Sequence, residues 1–185
     1  MKIPENLLSW FDSKTLAGWV CESVNYACWN LPEPSVSRPI GAQLYEYRSQ
    51  PVTQRHFRPG ASSEELAEYQ NRSKPLVRTL VYAYATGSYA SMDIEQSRSD
   101  DPGFQYLSCP ESVNEYDLRK SRRSNRLLLN RSLSLLLYKA WETRVTNSGG
   151  RLTTSMATHL ENMEKEAERR ILEAIALDHM LIDDD

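Results

Sequence analysis

Apolar positions recur at helical spacing through most of this chain; only GAQLYEYRSQ (41–50) alternates in the manner of a strand, too briefly to build a sheet. Pro4 suits the first turn of a short opening helix. Leu16, Trp19, Val20, Val24 and Ala27 then fall at i, i+3, i+4, i+8 and i+11, one face of a helix that Asp12 or Ser13 can cap. Pro32, Pro34, Pro39, Pro51 and Pro59 break the stretch that follows into loops. Ser62 or Ser63 with Glu65 opens a short solvated helix, SEELAEYQ. A new helix is expected at Lys74-Pro75, with Leu76, Leu80, Val81 and Tyr84 on its face and an end near Gly87. Two short helices follow, one capped by Ser91 and one entered from Asp100 or Asp101 through Pro102.

The most pronounced pattern is a long helix after Pro110. Ser112 and Glu115 have the spacing of a capping box, with Ser112 as N-cap. Arg119, Arg122, Arg123 and Arg126 lie at i, i+3, i+4 and i+7, so at ~100° per residue they share an arc of roughly 100°. Leu129, Leu133, Leu136, Leu137 and Ala140 make an apolar stripe on the second half. The simplest assembly buries the leucine half and leaves the arginine half standing proud, since residues 113–126 offer only Val113, Tyr116 and Leu118 as apolar side chains. After the break TNSGG, Met156, Leu160, Met163, Ala167, Ile171, Ala174 and Leu177 or Asp178 give the last helix a near-heptad seam. That seam suits packing within the chain better than pairing with a second copy, because it lasts under four heptads.

Composition changes this picture in one respect. The chain of 185 residues carries a net charge of −3, so any nucleic-acid contact must come from local charge. Residues 113–144 hold eight basic side chains against three acidic, a balance of +5; residues 161–185 hold three against nine, a balance of −6. Five cations (Arg119, Lys120, Arg122, Arg123, Arg126) fall within eight positions with no acid among them. A solvated charge patch is the plain alternative. The basic loop RHFRPG (55–60) could add a phosphate contact, though an exposed loop is its simpler reading.

Other chemistry is not expected. Cys21, Cys28 and Cys109 show no metal-ligand spacing, and His159 and His179 stand too far apart on one helix to pair on a metal. Neither a nucleophile elbow nor a phosphate-binding glycine loop occurs. Tyr82, Tyr84 and Tyr89 could stack on bases, but residues at such spacing more often belong to the core. The opening MKIPENLLSWF lacks a signal-like apolar run, and no stretch approaches 18 apolar residues, so a cytoplasmic protein without a membrane span is expected.

YAYATGSYASMDIEQSRSDDPGFQYLS (82–108) resembles the N-terminal helical domain of a group of bacterial insertion-sequence transposases, in which a DNA-binding region precedes a catalytic domain built on three acidic residues. The likeness rests on Tyr82, Tyr84, Thr86 and Gly87, on Ile94 and Glu95, on Phe104, Tyr106 and Leu107, and on the arginine helix after Ser112. The opening at 3–25 and the tail at 159–185 are also similar to that family. Where the family places its first catalytic aspartate, residues 143–160 hold no Asp or Glu. The resemblance therefore implies a transposase-like module without catalysis, cofactor or metal, bound to duplex DNA and associated with the nucleoid when so bound.

These readings predict an all-α helical bundle with a helix-turn-helix-like core. One domain overall would comprise segments 1–30, 31–73, 74–145 and 151–185. Ser112, Asn114 and Tyr116 would approach the groove, and Arg119, Lys120, Arg122, Arg123 and Arg126 the phosphates or a guanine edge. The alternative is a helical interaction module that forms a homodimer or pairs with a full-length transposase and does not touch DNA.

Overall fold

The computed structural model describes residues 2–29, 63–107, 113–150 and 156–183. Every regular element among them is a helix. After a 3-10 turn at Leu7–Ser9 come α1 (Ser13–Trp29), α2 (Ser63–Ala85), α3 (Ser91–Ser97), α4 (Pro102–Tyr106), α5 (Glu115–Ser124), α6 (Arg126–Asn147) and α7 (Met156–Asp183). None of these helices is long and apolar enough to cross a membrane. The all-α class is as expected. The strand-like 41–50 and the basic loop 55–60 lie outside the described residues.

Helix α6 is the axis, packed by α1, α2 and α7. Its predicted stripe of Leu129, Leu133, Leu136, Leu137 and Ala140 is fully buried, and Leu16, Val20, Val24 and Ala27 of α1 join the same core. At about 1.5–3 kcal/mol for each large side chain withdrawn from water, this apolar seam is the main source of stability. Helix α7 runs antiparallel to α6. Its Met163, Ala167, Ile171 and Ala174 face the protein's own core, and His159 stacks on Trp141 with ring centroids 4.1 Å apart. The seam is thus used within the chain.

Local entries follow the chemistry of the caps. The Asp12 carboxylate takes the Thr15 N–H at 2.9 Å to open α1, and Asp101 takes the Gly103 N–H at 2.6 Å to open α4 behind Pro102. Gly103 is a glycine by necessity, because a Cβ there would overlap the ring of Tyr82. Gly87 ends the α2 turn at φ 81°.

Several expectations are corrected. Pro4 precedes the first turn, which Asn6 caps through the Leu8 N–H at 2.8 Å. The two helices expected at 63–70 and 74–87 are one, with Pro75 inside it. The missing proline N–H removes a single bond of the ladder, and the good helix formers flanking it carry the helix across. The long arginine-leucine helix is two, α5 and α6, parted at Asn125 (φ −118°, ψ 25°). The Asn125 side chain donates to the Ser121 carbonyl at 3.1 Å, sharing that oxygen with its own N–H at 2.9 Å.

Candidate nucleic-acid interface

Helix α5 carries the predicted basic face. Its N-cap is Asn114, whose side chain accepts from the Asp117 N–H at 3.0 Å while the Asp117 carboxylate accepts from the Asn114 N–H at 3.5 Å. The capping box therefore sits two residues later than expected. Ser112 lies outside the described residues. Asn114 is exposed, but its carbonyl oxygen is committed to the cap. Acids in the first turn (Glu115, Asp117) and arginines in the last (Arg122, Arg123) suit the helix dipole.

The expectation that this helix stands proud is wrong. Leu118, Ser121, Arg122 and Asn125 form a buried back against the body, Leu118 completely and Arg122 at 2% exposure. Few apolar residues are needed, because the back is polar and fully bonded. All five N–H donors of the Arg122 guanidinium find acceptors. Nε donates to the Tyr84 hydroxyl, and Nη1 to the Asp178 carboxylate and, at 3.0 Å, to the Ala174 carbonyl. Nη2 donates to the Tyr89 carbonyl and the Ser91 hydroxyl, both at 3.1 Å. The guanidinium carbon also lies 5.6 Å from the centre of the Tyr84 ring. Burial pushes the Tyr84 phenol up to about 12, with the Arg122 charge opposing the rise. Arg122 is therefore an internal joint between α2, α3, α5 and α7, and no phosphate can reach it.

The remaining cations divide into two groups. Arg119 is held by Glu115 at 2.5 Å, with Asp178 3.7 Å away, and Arg126 meets Glu168 of α7 at 3.4 Å. Lys120 and Arg123 are exposed and make no hydrogen bond or ion pair among the described residues. With Tyr116, which is 68% exposed, they stand at i, i+4 and i+7, an arc of about 60° on the open side of α5. Of the eight residues singled out by sequence, Tyr116, Lys120 and Arg123 thus make a free stripe. Arg119 and Arg126 are accessible but paired.

A second buried arginine was not foreseen. Arg170 of α7 is fully buried beside the seam residue Ile171 and donates to the carbonyls of Tyr84 (2.8 Å), Glu5 (3.0 Å) and Pro4 (2.7 Å), and to Glu166 at 2.8 Å. It ties the N-terminal segment to the C-terminal helix. Burial would raise the Glu166 carboxyl, but hydrogen bonds from Arg169 and Arg170 hold it below the ordinary carboxylate value. The Tyr89 hydroxyl closes the same cluster by donating to Glu5 at 2.6 Å. The tyrosines at 82, 84 and 89 are buried core residues, not stacking platforms.

Sequence reasoning missed Arg170 and Glu5, took Asp178 only as an alternative seam position, and expected Ser91 to cap a helix whose N-cap is Ala90. One signal was available: Asp178 is a charge at one of the alternative seam positions and Arg170 adjoins the seam residue Ile171, and an ion buried there needs a partner from elsewhere in the chain. Among the described residues, no group of His, Cys, Asp and Glu assembles with the geometry of a metal site. Neither family models nor curated proteins nor solved structures gave a match to this chain.

Proposed function

We propose that the protein is a transposase-derived DNA-binding module that performs no chemistry of its own and meets duplex DNA through the open side of α5. The observation that carries this reading is the stripe of Tyr116, Lys120 and Arg123. Its two cations have no acidic partner among the described residues, and the helix that bears them is fixed to the body by its opposite side. Neutralising a phosphate releases condensed counterions, so two such contacts predict a salt slope of about −2 in log K against log[salt]. Tyr116 adds a flat aromatic surface beside them, able to pack on a sugar or a base edge.

The test is binding of the purified chain to a random-sequence duplex over a salt series. Wild-type binding should weaken with salt, and K120A/R123A should remove most of the slope. A slope unchanged by that double substitution would refute the assignment. Arg122→Ala is not an informative probe, because it dismantles an internal joint instead of a surface contact. A second reading, a helical interaction module that pairs with a partner protein, is favoured by the acids interleaved with the basic side: Glu115 on Arg119 and Glu168 on Arg126. Absence of duplex binding at low salt would select it.

A further inference from the structure

Asp178 does two things at once. Helix α3 starts at Ser91 behind Ala90, which has no side chain to accept a first-turn N–H. The Asp178 carboxylate, 87 residues away, supplies that acceptor: Oδ1 takes the Ser91 N–H at 3.0 Å and Oδ2 the Ser91 hydroxyl at 3.0 Å. The same Oδ2 pairs with Arg122 Nη1 on the back of α5. One carboxylate near the end of α7, only 5% exposed, therefore caps α3 and anchors α5 together.

We infer that Asp178 is a positioning residue for the DNA-contacting stripe, and that occupancy of the stripe is coupled to docking of the C-terminal turns of α7. The inference rests on the DNA-binding reading above. Lys120 lies on the far side of α5 from Arg122, so any roll of the helix about its axis carries the stripe with it. Helix α5 spans only ten residues, too short to be stable without its packing. Leu118 seats it on the body and Arg122's bonds tie its back to α2, α3 and α7, and the one charged acceptor among those bonds belongs to α7. Coupling of this kind is reciprocal: whatever favours the docked α7 favours the presented stripe, and a ligand on the stripe favours docking in return.

The experiment uses the full chain, a fluorescent random duplex and amide hydrogen exchange. Asp178→Asn keeps an oxygen for the Ser91 N–H but withdraws the charge facing Arg122. Affinity should fall on the order of tenfold with the salt slope unchanged, because the phosphate-contacting cations remain. Amides of α3 and α5 should exchange faster in the free variant and regain protection with duplex. Ser91→Ala, a milder change at the same joint, should act in the same direction by roughly two- to threefold. Leu16→Ala, a core truncation in α1 outside the joint, should lower stability without slowing or loosening duplex binding in this way. Two results overturn the inference: D178N binding no worse than L16A, or wild-type exchange in α3 and α5 of D178N. A wild type that binds no duplex overturns the functional reading instead, and is distinguished from both by the exchange data.

Discussion

Two arginines, Arg122 and Arg170, are the most deeply buried cations described, at 2% and 0% exposure, and the protein accommodates them in opposite ways. Arg122 faces a carboxylate that is itself buried, so charge meets charge where solvent cannot screen either. Arg170 is surrounded by three main-chain carbonyls, and its carboxylate, Glu166, keeps 26% of its side-chain surface in water. The first arrangement is a closed ion pair, with the Ala174 and Tyr89 carbonyls taking further donors of the arginine. The second is a dipole cage that spreads the charge and leaves its counter-ion solvated. Removing the carboxylate should therefore be severe at the first joint and mild at the second.

The largest expected effect tests that asymmetry directly. Asp178→Ala leaves the buried Arg122 charge without its one carboxylate, the other acceptors being neutral, and should cost about 3–5 kcal/mol. Glu166→Gln leaves the carbonyl cage of Arg170 intact and should cost under about 1 kcal/mol. Urea unfolding of both variants decides between them; equal losses would erase the distinction. Replacing both members of the first pair by apolar isosteres, as in R122M/D178L, should recover much of the loss. The Ser91 N–H would still lack its acceptor, so a residue of about 1–3 kcal/mol should persist.

Acid and alkali should separate the joints next. The Tyr84 phenol, in contact with Arg122, has a folded pKa raised from its ordinary 10 to about 12 by burial. The folded state thus holds a proton that the unfolded chain gives up, and the associated stability is complete below pH 10 and lost as pH rises through about 12. The Glu166 and Glu5 carboxyls of the second joint are instead lowered, against burial, by hydrogen bonds from Arg169 with Arg170 and from Tyr89 with Arg169 respectively. Their contribution is present above 4.5 and disappears as pH falls through the folded values. Tyr84→Phe should flatten part of the alkaline limb, since burial raises Tyr82 and Tyr89 as well. E166Q should flatten part of the acid limb. Stability measured across pH in these two variants checks both assignments, and a limb altered by the wrong variant would sever its link to that joint.

The same contrast explains what could be inferred from sequence. Leu129, Leu133, Leu136, Leu137 and Ala140 were legible because apolar burial is periodic and each position reports its own environment. The caps at Asp12 and Asp101 were legible because capping is local. Arg122 was misassigned because a surface arginine and a buried one are identical in sequence until the partner is known, and its partner is 56 residues away. The break at Asn125 was missed for a related reason, since leucine and arginine positions on both sides fit one helical period. In the candidate site, Tyr116, Lys120 and Arg123 are exposed on the open side of α5, whereas the face expected from the spacing ran through Arg119, Arg122, Arg123 and Arg126. What separates them from Arg119, Arg122 and Arg126 is the acids of Glu115, Asp178 and Glu168, two of which come from α7.

The smallest expected effect concerns the most exposed of those pairs. Arg126 and Glu168 lie 3.4 Å apart with side chains 50% and 55% exposed, so the pair spans α6 and α7 in full contact with water. Exposed pairs of this kind are worth about 0–1 kcal/mol, because solvent screens the attraction and two long side chains must be held still. A double-mutant cycle of R126A and E168A should therefore return a coupling of about 0.5 kcal/mol or less, shrinking further at high salt. A larger, salt-resistant coupling would mean that the middle of α7 is clamped at Glu168 as firmly as its C-terminal part is at Asp178. With a small coupling, α7 is secured by its apolar seam and its two buried joints. Arg126 then stays available to an incoming phosphate at little cost, and E168A should raise duplex affinity only a few-fold at low salt.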